Sequence, residues 1–416
     1  MGSREPTLYV VHSPLVEIRD LSMKTVLLSR HTVQQRGIFV SVSAGNSGPS
    51  LRAVSNEAPW FLTVGASTHD RKLKVTVNLG NIEEFEGESA YHPKTSNSTF
   101  FTLYEAGKSE SDRFGNLFCS PGTLTDPAIK GKIVVCRRSR GLPKVIQGKT
   151  VKDAGGPNVA SPGILKSDLI GPGVNVLADW PTSVDNNKNT KSTFNDISGT
   201  SMACPHLSGI AALLKSAHPD WSPAAIKSAT MTTADTFNFA KNPILDERLI
   251  PADIFAIGAG HVHPVRASDP GLIYDTPFAD YVPYLCGLNY TNQEVGKLLQ
   301  CNVNCLEVKS IPAEQLNYPS FSIKLGSSPQ TYTRTVTNVG DAKSSYQVDV
   351  VSPKGVSVKV KPSKLNFSKL NQKLTYQVTF SNTTNSSKVE DVEGFLKWNS
   401  NRHSVRSPIA VTLSAK

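Results

Sequence analysis

Ser201 follows Gly199 and Thr200 and opens the small, apolar run Ser201-Met202-Ala203-Cys204-Pro205-His206-Leu207-Ser208-Gly209-Ile210-Ala211-Ala212-Leu213-Leu214-Lys215. A serine there projects its hydroxyl beside backbone N–H groups that point out of a helix N-terminus, so a nucleophile and a donor for a developing oxyanion can share one site. Taken alone, a serine at a helix start also serves as an N-cap. Asn46 lies in the turn Gly45-Asn46-Ser47-Gly48-Pro49, just past a buried run, where a rigid scaffold can aim a side-chain amide into a cleft. Its competing role is turn chemistry, because Asn tolerates left-handed backbone and bonds its own loop. His206 follows Ser201 by five residues. On a helix that is about 140° around the axis, so His206 faces elsewhere and reads as a structural histidine.

The elements that position these residues are legible in the local pattern. Gly37 to Ala44 is short, β-branched and small, and Trp60 to Ala66 is a second such run, so both are expected as buried strands of an α/β layer fold. Met23 to Arg36 has weak helical spacing. The stretch from about Thr99 to Gly156 is more polar and carries Gly131-Lys132-Ile133-Val134-Val135-Cys136, a strand inside a small β-rich insert. The run from Ser201 predicts a buried helix with Pro205 in its first turn, where proline loses no intrahelical bond. Ser222-Pro223 predicts the N-cap and first residue of a second helix, reaching about Ala234. From Leu316 onward, runs such as Thr331 to Thr337 and Thr375 to Phe380 alternate polar and apolar residues between turns, the pattern of a β-sandwich, with a boundary near 310–317.

Composition narrows the class. At 416 residues, 38% hydrophobic, with 29 Gly and 27 Pro, the chain is expected to form two or three loop-rich globular domains and no coiled coil. No run is long and apolar enough to cross a bilayer, and the residues after Met1 lack the apolar core of a secretory signal. Of the formal net charge of +10, the segment Asn317–Lys416 carries +9, so the basic character belongs to the C-terminal part. Lysines alternate along Val356-Ser357-Val358-Lys359-Val360-Lys361, which puts them on one exposed sheet face. They suit a solvated surface or attraction to an acidic polysaccharide, whereas no nucleic-acid motif accompanies them. Six cysteines (Cys119, Cys136, Cys204, Cys286, Cys301 and Cys305) are too scattered for a disulfide framework or a zinc site, and Cys204 is expected to be an inert buried thiol. Five Asn-x-Ser/Thr sequons, at Asn97, Asn289, Asn366, Asn382 and Asn385, favour a secreted glycoprotein.

Ser43-Ala44-Gly45-Asn46-Ser47-Gly48-Pro49, Ala58 to Thr68 and Gly199-Thr200-Ser201-Met202-Ala203-Cys204-Pro205-His206 together closely resemble the subtilisin-like serine proteases. Gly131 to Cys136, Ser161-Pro162-Gly163-Ile164-Leu165-Lys166, Gly171-Pro172-Gly173-Val174, Leu316-Asn317-Tyr318-Pro319-Ser320 and Arg334 to Gly340 narrow the resemblance to the plant, cucumisin-type subtilases, from about Arg36 to Ala415. The resemblance implies an incomplete subtilisin-like α/β catalytic domain (residues 1–98 and 157–312), a partial protease-associated β-rich insert (99–156) and a fibronectin-III-like β-sandwich (313–416). It implies a secreted serine endopeptidase of the apoplast or cell wall, acting on protein or peptide substrates without cofactor or metal. Ser201 is then the nucleophile, and Asn46 is the side-chain donor opposite the Ser201 N–H.

An acyl-transfer serine needs a base, and the base needs an orienting carboxylate. In the family both precede the oxyanion Asn, the Asp in a Val-Ile-Asp-Thr-Gly-like strand and the His in a Gly-His-Gly-Thr-His run. Neither pattern occurs in the 45 residues before Asn46. His12 and His31 lack the flanking glycines, and Asp70 matches an ordinary surface turn. At Ala154-Gly155-Gly156-Pro157-Asn158 the insert is also shorter than the family's. The printed chain is therefore expected to be truncated and catalytically silent by itself; the alternative role is binding of acidic cell-wall polymers through the basic sandwich.

Overall fold

The computed structural model describes residues 37–46, 54–69, 74–88, 103–105, 133–135, 156–157, 163–179, 194–246, 250–299, 301–384 and 389–414. They belong to two compact units, one of residues 1–69 and 147–416 and the other of residues 70–146. The expected helix over Met23–Arg36, together with His12, His31 and Asp70, lies outside the described residues.

The larger unit begins with strands β1 (Ser41–Ser43) and β2 (Leu62–Ser67). The smaller unit holds β3 (Lys74–Asn78) antiparallel to β4 (Glu84–Glu88), and β5 (Leu103–Glu105) parallel to β6 (Ile133–Val135), the strand expected at Gly131–Cys136. The larger unit resumes with β7 (Gly156–Pro157), β8 (Leu165–Lys166), β9 (Leu169–Pro172), β10 (Val176–Asp179) and β11 (Phe194–Ile197). Helices α1 (Thr200–Ala217) and α2 (Pro223–Thr232) follow.

Strands β1, β2 and β9 make a parallel sheet in the order β1-β2-β9, with Ser41 opposite Leu62 and Val64 opposite Leu169. Parallel strands are covered on both faces, which is why these segments are continuous buried runs instead of alternating ones. Helix α1 buries Ala203, Cys204, Leu207, Ser208, Ala211 and Leu214, a stripe at three- and four-residue spacing. The Ser41 hydroxyl donates to the Cys204 carbonyl, pinning α1 to the sheet. Leu207 lies on bare backbone, since a Cβ at Gly171 would stand 2.3 Å from its Cδ2.

Two expectations change at α1. Pro205 is the sixth helical residue and so sits in the second turn, where its missing N–H deprives the Ser201 carbonyl of its usual partner. The N-cap is Gly199, with no side-chain cap, so Ser201 is not capping the helix. Helix α2 starts as expected, with the Ser222 hydroxyl accepting from the Ala225 N–H at 3.0 Å, and ends at Thr232.

The C-terminal half is a sandwich of two sheets. It is built from β12 (Leu272–Ile273), β13 (Phe321–Leu325), β14 (Gln330–Asn338), β15 (Ser344–Val351), β16 (Val356–Lys361), β17 (Lys364–Phe367), β18 (Lys373–Asn382), β19 (Glu390–Asn399) and β20 (Ser404–Leu413). One sheet runs β12-β14-β18-β16 and the other β13-β20-β19-β15-β17. Alternation sends Tyr332, Arg334 and Val336 inward to a core containing Tyr376, Phe380, Leu396 and Trp398. Strand β12 comes from the sequence before the sandwich, pairing Leu272 with Asn338, so the two halves of this unit share backbone hydrogen bonds. Tyr274 strengthens the join, its buried hydroxyl meeting those of Tyr376 at 2.7 Å and Ser407 at 2.9 Å.

Of the cysteines, whose pairing the sequence leaves open, Cys286 and Cys305 form a disulfide with Cα atoms 5.5 Å apart. Sequence separation does not show which cysteines approach that closely, so the pairing was not readable beforehand. Cys204 is a buried thiol that donates to the Ser41 hydroxyl at 3.4 Å. Cys119 and Cys136 lie outside the described residues.

Arg334 is fully buried and donates to the carbonyls of Thr333, Glu314, Tyr318 and Ser320, with its guanidinium 4.3 Å from the Phe321 ring centroid. It therefore holds the segment that enters the sandwich. Arg334→Ala strands these carbonyls and leaves a cavity, and is expected to cost about 3–5 kcal/mol, read as a lower urea midpoint.

Candidate active site

The end of β1 delivers Asn46 to the start of α1. Ala44 N–H donates to the Val64 carbonyl at 2.9 Å, Ser55 N–H to the Ala44 carbonyl at 2.7 Å, and Asn56 Nδ2 to the Ser43 carbonyl at 2.9 Å. The strand terminus is thus fixed from both sides before the chain turns outward at Asn46.

Thr200 locks that turn to the helix. Its buried hydroxyl lies 3.3 Å from both the N–H and the carbonyl of Gly45 and 3.2 Å from Asn46 Oδ1, while its N–H donates to Asn46 Oδ1 at 3.1 Å. A backbone N–H needs an acceptor, so the Asn46 carboxamide must present Oδ1 to Thr200 and turn Nδ2 the other way. No hydrogen bond to a described residue occupies that Nδ2. Gly199 makes room for it, because a Cβ there would lie 3.3 Å from Nδ2.

Ser201 is the second residue of α1 and half-buried. Its backbone N–H belongs to the unpaired donors of the first helical turn, and no acidic side chain in that turn weakens their positive end. Two donors of the kind that hold a developing oxyanion, the Ser201 N–H and Asn46 Nδ2, therefore belong to adjoining residues of one hydrogen-bonded corner. The Ser201 hydroxyl has no hydrogen-bond partner among the described residues, so no described histidine is in place as its base. His206 is exposed and its Nδ1 bonds the Met202 carbonyl at 2.7 Å, while His69 Nε2 bonds the Asn175 carbonyl at 3.0 Å. Among the described residues no group of three or more metal-ligating side chains forms.

Below the same sheet lies a polar cluster that the sequence reading passed over. Asp168 Oδ2 accepts from the Thr63 N–H and from Lys166 Nζ, both at 2.7 Å, and Oδ1 accepts from the Tyr318 hydroxyl. Lys166 donates further to the Phe61 carbonyl and the Thr63 hydroxyl, each at 3.1 Å. Burial drives the Lys166 amine below its ordinary range, with Asp168 pulling it partly back, and burial together with Asp168 raises the Tyr318 phenol. Lys227 of α2 donates to the Pro59 carbonyl with Nζ 4.3 Å from the Tyr318 ring centroid. The available signal was a Lys and an Asp two residues apart inside the otherwise small and apolar run from Gly163 to Ile170.

Residues 19–260 match the family model described as the subtilase family, and residues 315–411 match the fibronectin type-III domain. Among similar proteins, subtilisin-like protease SBT1.7 of Arabidopsis thaliana is 39% identical, over 93% of this chain and 61% of its own length. Subtilisin-like proteases SBT1.5 and SBT1.2 of the same plant are 36% and 35% identical over 91% and 94% of the chain, again with 61% of their own lengths matched. The SBT1.7 alignment runs over 469 positions against 93% of a 416-residue chain, so this relative carries internal stretches without a counterpart here.

Burial lowers the Lys227 amine from 10.5 to about 7. The unfolded chain keeps this proton up to about 10.5 while the folded one releases it near 7, so the unfolded state binds more protons between those values and stability climbs with pH across that window. Lys227→Met is expected to flatten the climb in urea unfolding measured at pH 7, 8 and 9.

Proposed function

The chain belongs to the subtilase family, and from that premise we propose that it supplies the nucleophile and oxyanion hole of a serine endopeptidase. Because the chain spans 61% of the length of the relatives it matches, the activity is assigned to the protein of which these residues form part. The observation that carries the proposal is the Asn46 carboxamide, held through Oδ1 by Thr200 so that Nδ2 remains for a ligand beside the helix end bearing Ser201.

In this mechanism the Ser201 hydroxyl attacks the carbonyl carbon of a peptide bond and yields its proton to a base. The carbonyl oxygen becomes an oxyanion between the Ser201 N–H and Asn46 Nδ2, both fixed before reaction, so little reorganisation is needed as charge develops. Collapse expels the amine, which takes the proton, and leaves an acyl ester on Ser201. Water, deprotonated by the same base, then releases the carboxylic acid.

A second outcome, catalytic silence of the 416 residues alone, has one observation in its favour, the lack of a hydrogen bond from any described residue to the Ser201 hydroxyl. Secretion is supported by the Cys286–Cys305 disulfide and by the exposure of the sequon residues Asn289 and Asn366.

Peptide hydrolysis by the protein expressed from its native transcript tests the assignment. Ser201→Ala is expected to abolish turnover, and Asn46→Ala to lower kcat by about 10²–10³ with KM little changed, the magnitude known for loss of the side-chain donor in subtilisin. Full turnover in Ser201→Ala would end the proposal. The 416-residue polypeptide assayed in parallel is expected to be inactive, and measurable turnover by it would refute the silent outcome.

A further inference from the structure

The sandwich is electrically two-faced. Its sheet β12-β14-β18-β16 contains no Asp or Glu in any strand, whereas Asp349, Glu390, Asp391 and Glu393 all lie in the opposite sheet, on β15 and β19. The one arginine of the acid-free sheet, Arg334, is turned inward and buried. What remains on its outer face is set by register. Thr331, Thr379 and Lys359 form one row across three strands, and Thr333, Gln377 and Lys361 form the next. Thr335 beside Thr375 continues the grid, whereas Thr337, beside Lys373, is buried.

Hydroxyls of Thr331 and Thr379 meet at 2.8 Å, and those of Thr335 and Thr375 at 3.0 Å, so the threonines form cross-strand ladders. Lys359 and Lys361 are exposed and form no ion pair with a described residue. Lys373 is exposed too, with the carboxylate of Asp280 in its vicinity. Rows along a strand are spaced by about 7 Å, giving a repeating lattice of hydroxyl, amide and ammonium groups. No aromatic side chain projects from these rows.

We propose that this face binds a linear acidic polysaccharide. The lysines supply attraction to its anionic groups, and the threonines and Gln377 supply donors and acceptors matched to sugar hydroxyls. A face without aromatic rings offers nothing on which nucleic acid bases could stack, and groups repeated in rows along the strands suit an extended chain with a repeating unit. The proposal is independent of chemistry at Ser201, whose machinery none of these residues touches.

The test is binding of the 416-residue chain to polygalacturonate at low and moderate salt, comparing two variants of equal net charge change. Lys359→Glu with Lys361→Glu is expected to weaken binding by about tenfold at low salt, and the wild-type affinity to fall steeply as salt rises. Lys324→Glu with Lys343→Glu, exposed positions outside the acid-free sheet, should leave binding within about twofold. Equal loss in both variants would reduce the effect to net charge and overturn the assignment to this face. Absent or salt-independent binding of the wild type, or equally tight binding to double-stranded DNA, would overturn it as well. Circular dichroism of both variants confirms that the sandwich is folded before affinities are compared.

Discussion

The carboxylate of Asp168 is the point on which the larger unit turns, because the neighbouring Lys166 and two donors from distant parts of the chain, Thr63 and Tyr318, converge on it. Thr63 belongs to β2, Lys166 to β8, and Tyr318 to the segment that enters the sandwich. A buried charge in apolar surroundings is tolerable only when its lone pairs are filled, so removal of one partner strands the others. That requirement ties the middle strand of the parallel sheet to the C-terminal half. Arg334, bonded to the Tyr318 carbonyl, extends the tie into the sandwich core.

From this node the order propagates to the chemistry. Thr63 lies opposite Val42 in the sheet, and its hydroxyl holds the Asn56 carbonyl, while the Asn56 side chain holds the Ser43 carbonyl. The β1 end that carries Asn46 is therefore supported from beneath by residues that never touch a substrate. Thr200 completes the arrangement from the helix side. Preorganised donors are effective because their orientation is settled during folding and not during reaction, and here it is settled by a sheet edge and a helix end meeting through one threonine.

The sequence made visible whatever depends on local pattern. Buried strands around Ser41 and Leu62, the helix from Thr200, the Ser222 cap and the alternation of β14 and β18 each follow from spacing over a few residues. Motif resemblance carried Asn46 and Ser201, since neither residue type declares its role alone. Pro205 was misplaced by a turn because the helix begins at Thr200 with Gly199 as its cap, a boundary set by the lock to Asn46. The Asp168 cluster stayed hidden for a different reason. Its partners lie 105 and 150 residues away, and nothing in a local window shows that a lysine and an aspartate within an apolar run will face a tyrosine from the next domain. The Cys286–Cys305 bridge was hidden in the same manner.

The central claim, that Ser201 is the activated hydroxyl of this unit, is tested most directly by mapping where a fluorophosphonate probe attaches on the protein isolated from its native tissue. Such probes phosphonylate a serine whose attack is assisted by a base and whose oxyanion is held, so the adduct reports both conditions at once. Mass spectrometry of the digested protein is predicted to find the adduct on the peptide containing Ser201 and on no other serine. An unlabelled protein, or an adduct elsewhere, would contradict the account.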